Sequence, residues 1–188
     1  MIAFIKRLTA DTVTANLYTI APNLSGGIFI VLTCWLSDKT QCRAFFAVGA
    51  VCFPIIGFIV LGTADLVNHT AAGYFCTFLL TFGSFTPAVL IPAWLSNNMV
   101  SPSGRATALG LITGLQNVAG IVSSEAFRAQ DAPVYAPSLI VSGCFEGAMI
   151  VAVAVMYFYY RRINRQLDQG KLAFVKGMES SPGFRYVL

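Results

Sequence analysis

The sequence predicts an all-α protein, a polytopic membrane helix bundle with about five transmembrane helices, and three observations carry this prediction. Apolar residues make up 56% of the 188 residues and charged residues only 11%, against roughly 45–50% and about 25% in soluble proteins. No Asp, Glu, Lys or Arg occurs between Asp65 and Arg105. Apolar runs such as 44–63 have the length of about 20 residues that a helix needs to cross a bilayer core.

The predicted spans follow one another with short polar connections. They cover residues 17–36, 44–63, 72–95, 107–124 and 138–160. The segment Ser101-Pro102-Ser103-Gly104 predicts a turn before the fourth span, and Pro133 and Pro137 predict one before the fifth. The chain is therefore divided into a membrane domain, residues 1–160, and a polar tail, residues 161–188.

Basic residues in the short connections predict the orientation of the bundle. One side of the predicted membrane domain collects Lys39, Arg43, Arg105, Arg161, Arg162, Arg165 and Lys171. The other side holds Asp65, His69, Glu125, Arg128 and Asp131. The first side, which includes the C-terminus, is predicted to be cytosolic, and the plasma membrane is the expected location. Because the first span begins close to the N-terminus and the number of spans is odd, an earlier half is expected upstream.

Enzymatic chemistry has little support in these residues. The single histidine is His69, and no phosphate-binding glycine loop is present. We therefore predict that the chain is not an enzyme. No metal site, no cofactor and no nucleic-acid partner are expected.

Polar residues on the first, third and fourth spans form stripes at helical spacing. The stripes are Asn16, Thr19, Asn23, Gly26 and Thr33; Tyr74, Thr77, Thr81 and Ser84; and Thr113, Asn117, Gly120 and Ser124, with Gln116 beside the last. Polar surface in lipid is costly, so each stripe should face a partner helix or a water-filled cavity. We favour a shared cavity, and the residues predicted to line it are Asn23, Thr77, Thr81, Thr113 and Asn117. The alternative is helix packing through small and hydroxylated side chains.

Of all the Asp, Glu, Lys and Arg residues in the sequence, Glu146 alone lies deep inside a predicted span. An ionised carboxylate there costs a few kcal/mol unless it is paired or hydrated. One interpretation is that Glu146 carries a proton during transport. The alternative is a structural carboxyl group that is protonated or hydrogen-bonded.

Glycine and proline mark the third and fourth spans. Gly110 and Gly114 form a GxxxG pair, which predicts close packing of two helix backbones. Pro87 and Pro92 lie inside the third span, where each removes a backbone hydrogen bond and favours a kink.

The connection after the first span reads Trp35-Leu-Ser-Asp38-Lys39-Thr-Gln-Cys-Arg43. It resembles the signature loop of the major facilitator superfamily, in which an acid is followed by two bases. Cys34 replaces the usual leading glycine, and Gln41 and Cys42 stand where a glycine and a base are usual. These departures fit the weaker second copy of the signature, which lies between the eighth and ninth helices of that family.

Further segments support a resemblance. They are Asn16 to Pro22, Trp94 to Asn98, Gly104 to Ala106, Gln116 to Ile121 and Asp131 to Tyr135, with Asn164 and Asp168 near the tail. Together they resemble the fungal anion:cation symporter branch, the allantoate-permease-like group. The resemblance covers roughly residues 10–172. It implies that the five spans are the eighth to the twelfth helices of a twelve-helix transporter, which is its C-terminal half.

The resemblance also implies a function. Such proteins move a small organic anion, here a vitamin-like or allantoate-like carboxylate, with a coupled proton by alternating access. The expected partners are the lipid bilayer, the anion, the proton and a missing N-terminal half. The family's loop positions imply a charge latch between cytosolic helix ends, formed by Asp38, Lys39, Arg43 and Arg105; the alternative is anchoring by positive charge alone. The competing function is a truncated, non-transporting membrane protein that acts as an assembly or interaction partner.

Overall fold

Five long helices contain most of the residues that the structure describes. The structure is a computed structural model and describes residues 12–63, 70–126, 136–175 and 183–188. In chain order the helices are α1 Thr12–Thr40, α2 Arg43–Thr63, α3 Thr70–Asn97, α4 Pro102–Ala126 and α5 Ala136–Asp168. These described ranges contain no β-strand, and the predicted all-α class is confirmed.

The helices extend beyond the apolar runs that predicted them. The first span was expected over residues 17–36, whereas α1 continues to Thr40. The fifth was expected to end at residue 160, whereas α5 continues to Asp168. Hydropathy marks the part of a helix that lies in lipid, while backbone hydrogen bonding continues until a cap or a breaker ends it. The division at residue 160 into a membrane domain and a tail stays a prediction.

Four of the helices are long and apolar enough to cross a membrane. These stretches are Asn16–Thr40, Arg43–Thr63, Ala71–Asn97 and Pro137–Asp168. Helix α4 has 25 residues but is not among them, because Arg105, Gln116 and Asn117 lower its mean hydropathy. The fourth span, residues 107–124, therefore stays a prediction. Of the residues predicted for the side opposite the basic cluster, Asp65, His69, Arg128, Asp131 and the Glu125 side chain lie outside the described part of the chain.

Helices α2 and α3 form the tightest contact. The buried residues of α2 recur every three or four positions and include Ala47, Ala50, Pro54 and Gly57, so small side chains face the neighbouring helix. Opposite them lies Gly83 of α3, where an added Cβ would meet Pro54 Cδ at 1.9 Å and the Ala50 carbonyl oxygen at 2.6 Å. The two backbones therefore approach each other at a distance that only glycine permits.

Helix α5 packs against both ends of the α2–α3 pair. Near one end Leu139 joins a cluster with Leu61, Cys76 and Leu80. Near the other end Val153 and Tyr160 pack with Ala44 and Trp94, and Tyr186 and Leu188 from the chain's C-terminus pack against this second cluster. The last residues of the chain thus return to the end of the bundle where α1 ends and α2 begins.

The outer helices expose most of their apolar surface. In the apolar windows of α2 and α3, 39% and 44% of the residues are buried, but in those of α1 and α5 only 11% are buried. Large exposed side chains include Leu17, Val31, Phe45, Ile121 and Val155. A surface of this kind is expected to face lipid or other membrane helices.

Candidate functional site

A cleft lies between α3, α4 and α5. It consists of two adjoining cavities, each with a volume of about 470 Å³. The residues that line both are Ser84, Leu115, Ala119, Phe145 and Glu146. Because the two cavities share these residues, we treat them as one site, the Glu146 cleft.

The polar side chains of the Glu146 cleft come from all three helices. Ser84 belongs to α3, Gln116 to α4, and Ser142 and Glu146 to α5. The Oε2 atom of Glu146 is buried and has no hydrogen-bond partner among the described residues. A buried polar atom without a partner costs about 1–3 kcal/mol. That Glu146 carries a proton stays a prediction. The hydroxyl and amide groups nearby can donate hydrogen bonds to an anion.

The backbone of α3 adds to the polarity of the cleft. Pro87 and Pro92 line it together with Gly83 and Ala88. The carbonyls of Gly83 and Ala88 are those that the N–H groups of residues 87 and 92 would bond in a regular helix, and proline has no N–H to donate. The carbonyls of these two cleft residues therefore lack their usual helical donor.

The two threonines predicted to line a cavity from α3 are both buried, and Thr81 lies in the contact with α1. Thr77 and Thr81 are each 1% exposed, and their hydroxyls donate to the carbonyls of Tyr74 and Thr77 at 2.6 and 2.8 Å. A Cβ on Gly26 would lie 2.5 Å from Thr81 Cγ2. Both hydroxyls are bonded within α3, and the predicted lining role of Thr77 and Thr81 stays a prediction.

The other three predicted lining residues lie on exposed helix surfaces. Asn23 is exposed on α1, and Thr113 and Asn117 are exposed on α4. The Thr113 hydroxyl donates to the Leu109 carbonyl at 2.9 Å. The structure therefore does not bring the five predicted residues together into one cavity, and their role in lining a path stays a prediction.

Sequence reasoning missed Ser84 and Gln116 as cleft residues, although both carried a signal. Ser84 is the last member of the polar stripe on the third span, and Gln116 lies beside the stripe of the fourth. Their spacing identifies polar faces, but it does not tell which neighbouring helix each face meets. The GxxxG pair likewise does not tell which helix it would meet. Among the described residues, no atom lies within 4 Å of a Cβ added to Gly110 or Gly114.

Two of the four predicted latch residues form an ion pair between α1 and α2. Arg43 donates to the carboxylate of Asp38. The side-chain amide of Asn97, at the end of α3, lies beside the same guanidinium group. With its oxygen turned toward Arg43, it accepts from Nη1 and Nη2 at 3.2 and 3.1 Å. Arg43 thus joins the adjoining ends of three helices.

The remaining two predicted latch residues lie apart from this pair. The Lys39 ammonium lies 5.3 Å from the centre of the Trp35 ring, a cation–π arrangement. Arg105 donates to the Met99 carbonyl at 3.1 Å and so fastens the turn before α4. Among the described residues, no three His, Cys, Asp or Glu side chains are grouped so that they could hold a metal ion.

Comparison with known proteins finds fungal transporters. The chain is 39% identical over 165 residues to the MFS-type transporter efuF of Hormonema carpetanum, a match that covers 88% of this chain and 34% of that protein. It is 32% identical over 194 residues to the major facilitator-type transporter hxnP of Emericella nidulans, a match that covers 98% of this chain and 39% of that protein. It is 33% identical over 142 residues to the high-affinity nicotinic acid transporter of Saccharomyces cerevisiae, a match that covers 75% of this chain and 26% of that protein.

The chain spans about a third of the length of these relatives. No model of a protein family matches it, and no solved structure does. The relatives are transporters, which confirms the prediction that the chain is not an enzyme. Over most of its length, the chain therefore belongs to the major facilitator superfamily, as part of a multi-pass integral membrane protein.

Proposed function

We propose that the chain supplies part of a secondary transporter that moves a small organic anion together with a proton. The observation that carries this proposal is the carboxyl group of Glu146, which has a buried oxygen without a hydrogen-bond partner among the described residues. It lines a cleft between three helices in a chain whose relatives are transporters. Because an ionised carboxylate is costly in apolar surroundings, proton uptake and release at Glu146 would accompany changes in the hydration of the cleft.

The proposed substrate is a vitamin-like or allantoate-like carboxylate. One relative is named as a nicotinic acid transporter, and nicotinic acid carries a carboxylate at neutral pH. Each of the two cavities of the cleft has a volume of about 470 Å³, which lies in the range of small-molecule sites. Ser84 and Gln116 offer the hydrogen-bond donors that a carboxylate accepts.

Alternating access requires two halves around a central site. We therefore propose that a second set of helices, an N-terminal half, packs against the exposed polar faces of α1 and α4. Asn23, Thr113 and Asn117 lie on these faces. In a complete transporter they would line the passage from one side.

The proposed location is the plasma membrane, with the C-terminus in the cytosol. Support for a cytosolic C-terminus comes from three basic residues. Lys39 and Arg43 lie at the adjoining ends of α1 and α2, and Arg105 lies in the first turn of α4. Positive charge at helix ends favours the cytosolic side. In this orientation the Asp38–Arg43 pair is the proposed latch, made and broken as the halves rock.

Uptake of a labelled anion tests the proposal. The sequence would be expressed behind the N-terminal half of the Saccharomyces cerevisiae relative, in cells without their own nicotinate uptake, and nicotinate and allantoate would be supplied with acid or neutral medium outside. We expect saturable uptake of a carboxylate that rises in acid medium and falls when a protonophore is added. Uptake that is equal with and without the protonophore would contradict proton coupling.

The Glu146→Gln variant isolates the role of the carboxyl group. Glutamine keeps the size and removes the titration, so we expect uptake that no longer responds to external pH, whereas Glu146→Asp keeps part of the response. Unaltered acid stimulation in Glu146→Gln would remove Glu146 from the mechanism.

The second candidate function is a non-transporting membrane protein that acts as an assembly or interaction partner. Support comes from the exposed apolar faces of α1 and α5, which another membrane protein could cover. If the chain alone co-purifies with a full-length relative and lowers that protein's uptake, this second function is supported. Uptake by the joined halves supports the first.

A further inference from the structure

The last residues of the chain lie against the ends of α3 and α5. Residues 183–188 are described without helix or strand, yet Tyr186 and Leu188 pack on the cluster that contains Trp94 and Tyr160. Residues 89 positions apart in sequence are joined by hydrogen bonds here. The C-terminal segment, residues 183–188, thus contacts one end of the helix bundle through both packing and hydrogen bonds.

Helix α3 binds the backbone of one residue of this segment. The Asn98 amide accepts from the Val187 N–H at 2.8 Å and donates to the Val187 carbonyl at 3.1 Å. The Trp94 indole N–H donates to the same carbonyl at 2.7 Å. With the segment in place Asn98 is only 2% exposed, and both of its amide groups have hydrogen-bond partners on Val187.

Helix α5 binds the backbone of the preceding residue in the same way. The Asn164 amide accepts from the Tyr186 N–H at 3.0 Å and donates to the Tyr186 carbonyl at 2.8 Å. In an extended chain the N–H and C=O of one residue point to one edge, and those of the next residue point to the other. The two asparagines therefore hold the segment from opposite edges, Asn98 from the turn that follows α3 and Asn164 from α5.

The side chains of the segment fit this end of the bundle. The Tyr186 ring stacks on Tyr160 with a centroid distance of 4.2 Å and an interplanar angle of 13°. Leu188 lines an apolar cavity of about 580 Å³ with Phe45, Val153 and Tyr157. Burial raises the pKa of the Tyr186 phenol, and Tyr159 adds to the shift. Alternate residues face the protein, as expected of an extended peptide.

We propose that the ends of α3 and α5 form a peptide-binding site whose ligand is the chain's own C-terminal segment, and that binding this segment clamps the two helix ends together. The site recognises the backbone through Asn98 and Asn164, and it recognises sequence through the Tyr186 ring and the Leu188 side chain. The Arg185–Asp168 pair at 3.1 Å is exposed on both sides and contributes little.

Amide hydrogen exchange of the full-length chain in detergent micelles tests this proposal. We expect the amides of Tyr186 and Val187 to exchange at least about tenfold more slowly than in the free peptide Gly-Phe-Arg-Tyr-Val-Leu, because each donates to a buried or half-buried asparagine. Exchange of both amides at the free-peptide rate, while the α2 amides stay protected, would overturn the proposal. The α2 amides report in the same sample that the chain is folded.

Substitutions identify the groups that hold the segment. Asn98→Ala and Asn164→Ala should each return both amides to within about threefold of the free-peptide rate, because one edge alone leaves the segment unclamped. Asn97→Ala is the matched control, since the neighbouring amide lies beside Arg43, and it should leave the protection unchanged. Equal loss of protection in all three variants would contradict specific recognition by Asn98 and Asn164.

A second pair of variants separates the ring from the exposed ion pair. Tyr186→Ala removes the stacked ring and should speed exchange of the Val187 amide about tenfold or more. Arg185→Ala removes a contact that is exposed on both sides, so less than about threefold is expected. The reverse order would show that charge, and not the peptide site, holds the segment.

Discussion

Arg43 shows how one side chain joins three helix ends. Its side chain is 12% exposed, while that of its partner Asp38 is 62% exposed. Its Nε atom is buried and has no hydrogen-bond partner among the described residues. The pair therefore joins a mostly buried cation to an exposed carboxylate. Its contribution to stability is expected to lie between that of a surface pair and that of a buried pair.

A double-mutant cycle on Asp38 and Arg43 measures this pair. We expect Asp38→Ala and Arg43→Ala to lower stability non-additively, with a coupling energy of about 0.5–1 kcal/mol, because the two side chains are in contact and one is exposed. Thermal unfolding in detergent micelles would measure it. Lys39→Ala is the control, since its ammonium lies over Trp35, and it should couple to neither substitution. Additive losses would show that the two groups do not form a latch.

At the scale of the helix, the α2–α3 contact depends on a glycine. Gly83 of α3 packs directly against Pro54 of α2, which is fully buried. The helices that move least in the bundle are therefore expected to be α2 and α3, while α1 and α5 have larger exposed faces.

Gly83→Ala should destabilise the bundle. Its Cβ would meet Pro54 Cδ at 1.9 Å, so the two helices must separate, at a cost of about 1–3 kcal/mol or more. Gly49→Ala on α2 is the matched control, since nothing lies within 4 Å of its Cβ and alanine favours helix by up to about 1 kcal/mol. Thermal unfolding of the two variants should therefore shift in opposite directions. A Gly83→Ala chain as stable as the Gly49→Ala chain would refute the close contact.

The positions of the helices could be predicted from hydropathy, but their ends and their facing surfaces could not. Apolar runs predicted the four helices that are long and apolar enough to cross a membrane, because lipid requires about 20 apolar residues wherever a helix crosses it. The polar continuation of α5 to Asp168 has no such requirement. Hydropathy also gave no sign that Gly83, and not the Gly110–Gly114 pair, would meet a neighbouring helix, because that depends on how each helix is rotated.

The candidate site was predictable only in part for the same reason. Glu146 could be found because a single carboxyl group in an apolar span is unusual. The choice between Thr81 and Ser84, three residues apart on one stripe, depends on the angle at which α1 and α5 cross α3. The bonds from Asn98 to Val187 join residues 89 positions apart and leave no local pattern to read.

At the scale of the whole molecule, the bundle has an apolar outer surface and few charges within its spans. Only 11% of the residues in the apolar windows of α1 and α5 are buried. Water would contact this surface in a soluble protein, at a cost of roughly 25 cal/mol for each Å² of apolar area. Lipid or further helices are therefore the expected surroundings.

Extraction of membranes with alkaline carbonate tests this expectation. The chain should stay in the membrane pellet, because carbonate removes proteins held by charge but does not remove helices that cross the hydrocarbon core. Detergent should then release it. A peripheral membrane protein in the same sample provides the control. Release of the chain by carbonate alone would contradict the predicted membrane bundle.

The packing of Leu188 has a practical consequence for anyone who attaches a reporter to this protein. The side chain of the final residue lies among Phe45, Val153 and Tyr157, and Val187 just before it is held by Asn98. A fluorescent or affinity tag joined directly to that residue would lie at the mouth of this cavity, where it would crowd the segment or pull it out. Tagged versions should therefore carry the reporter elsewhere, or else place a long flexible linker after the last leucine.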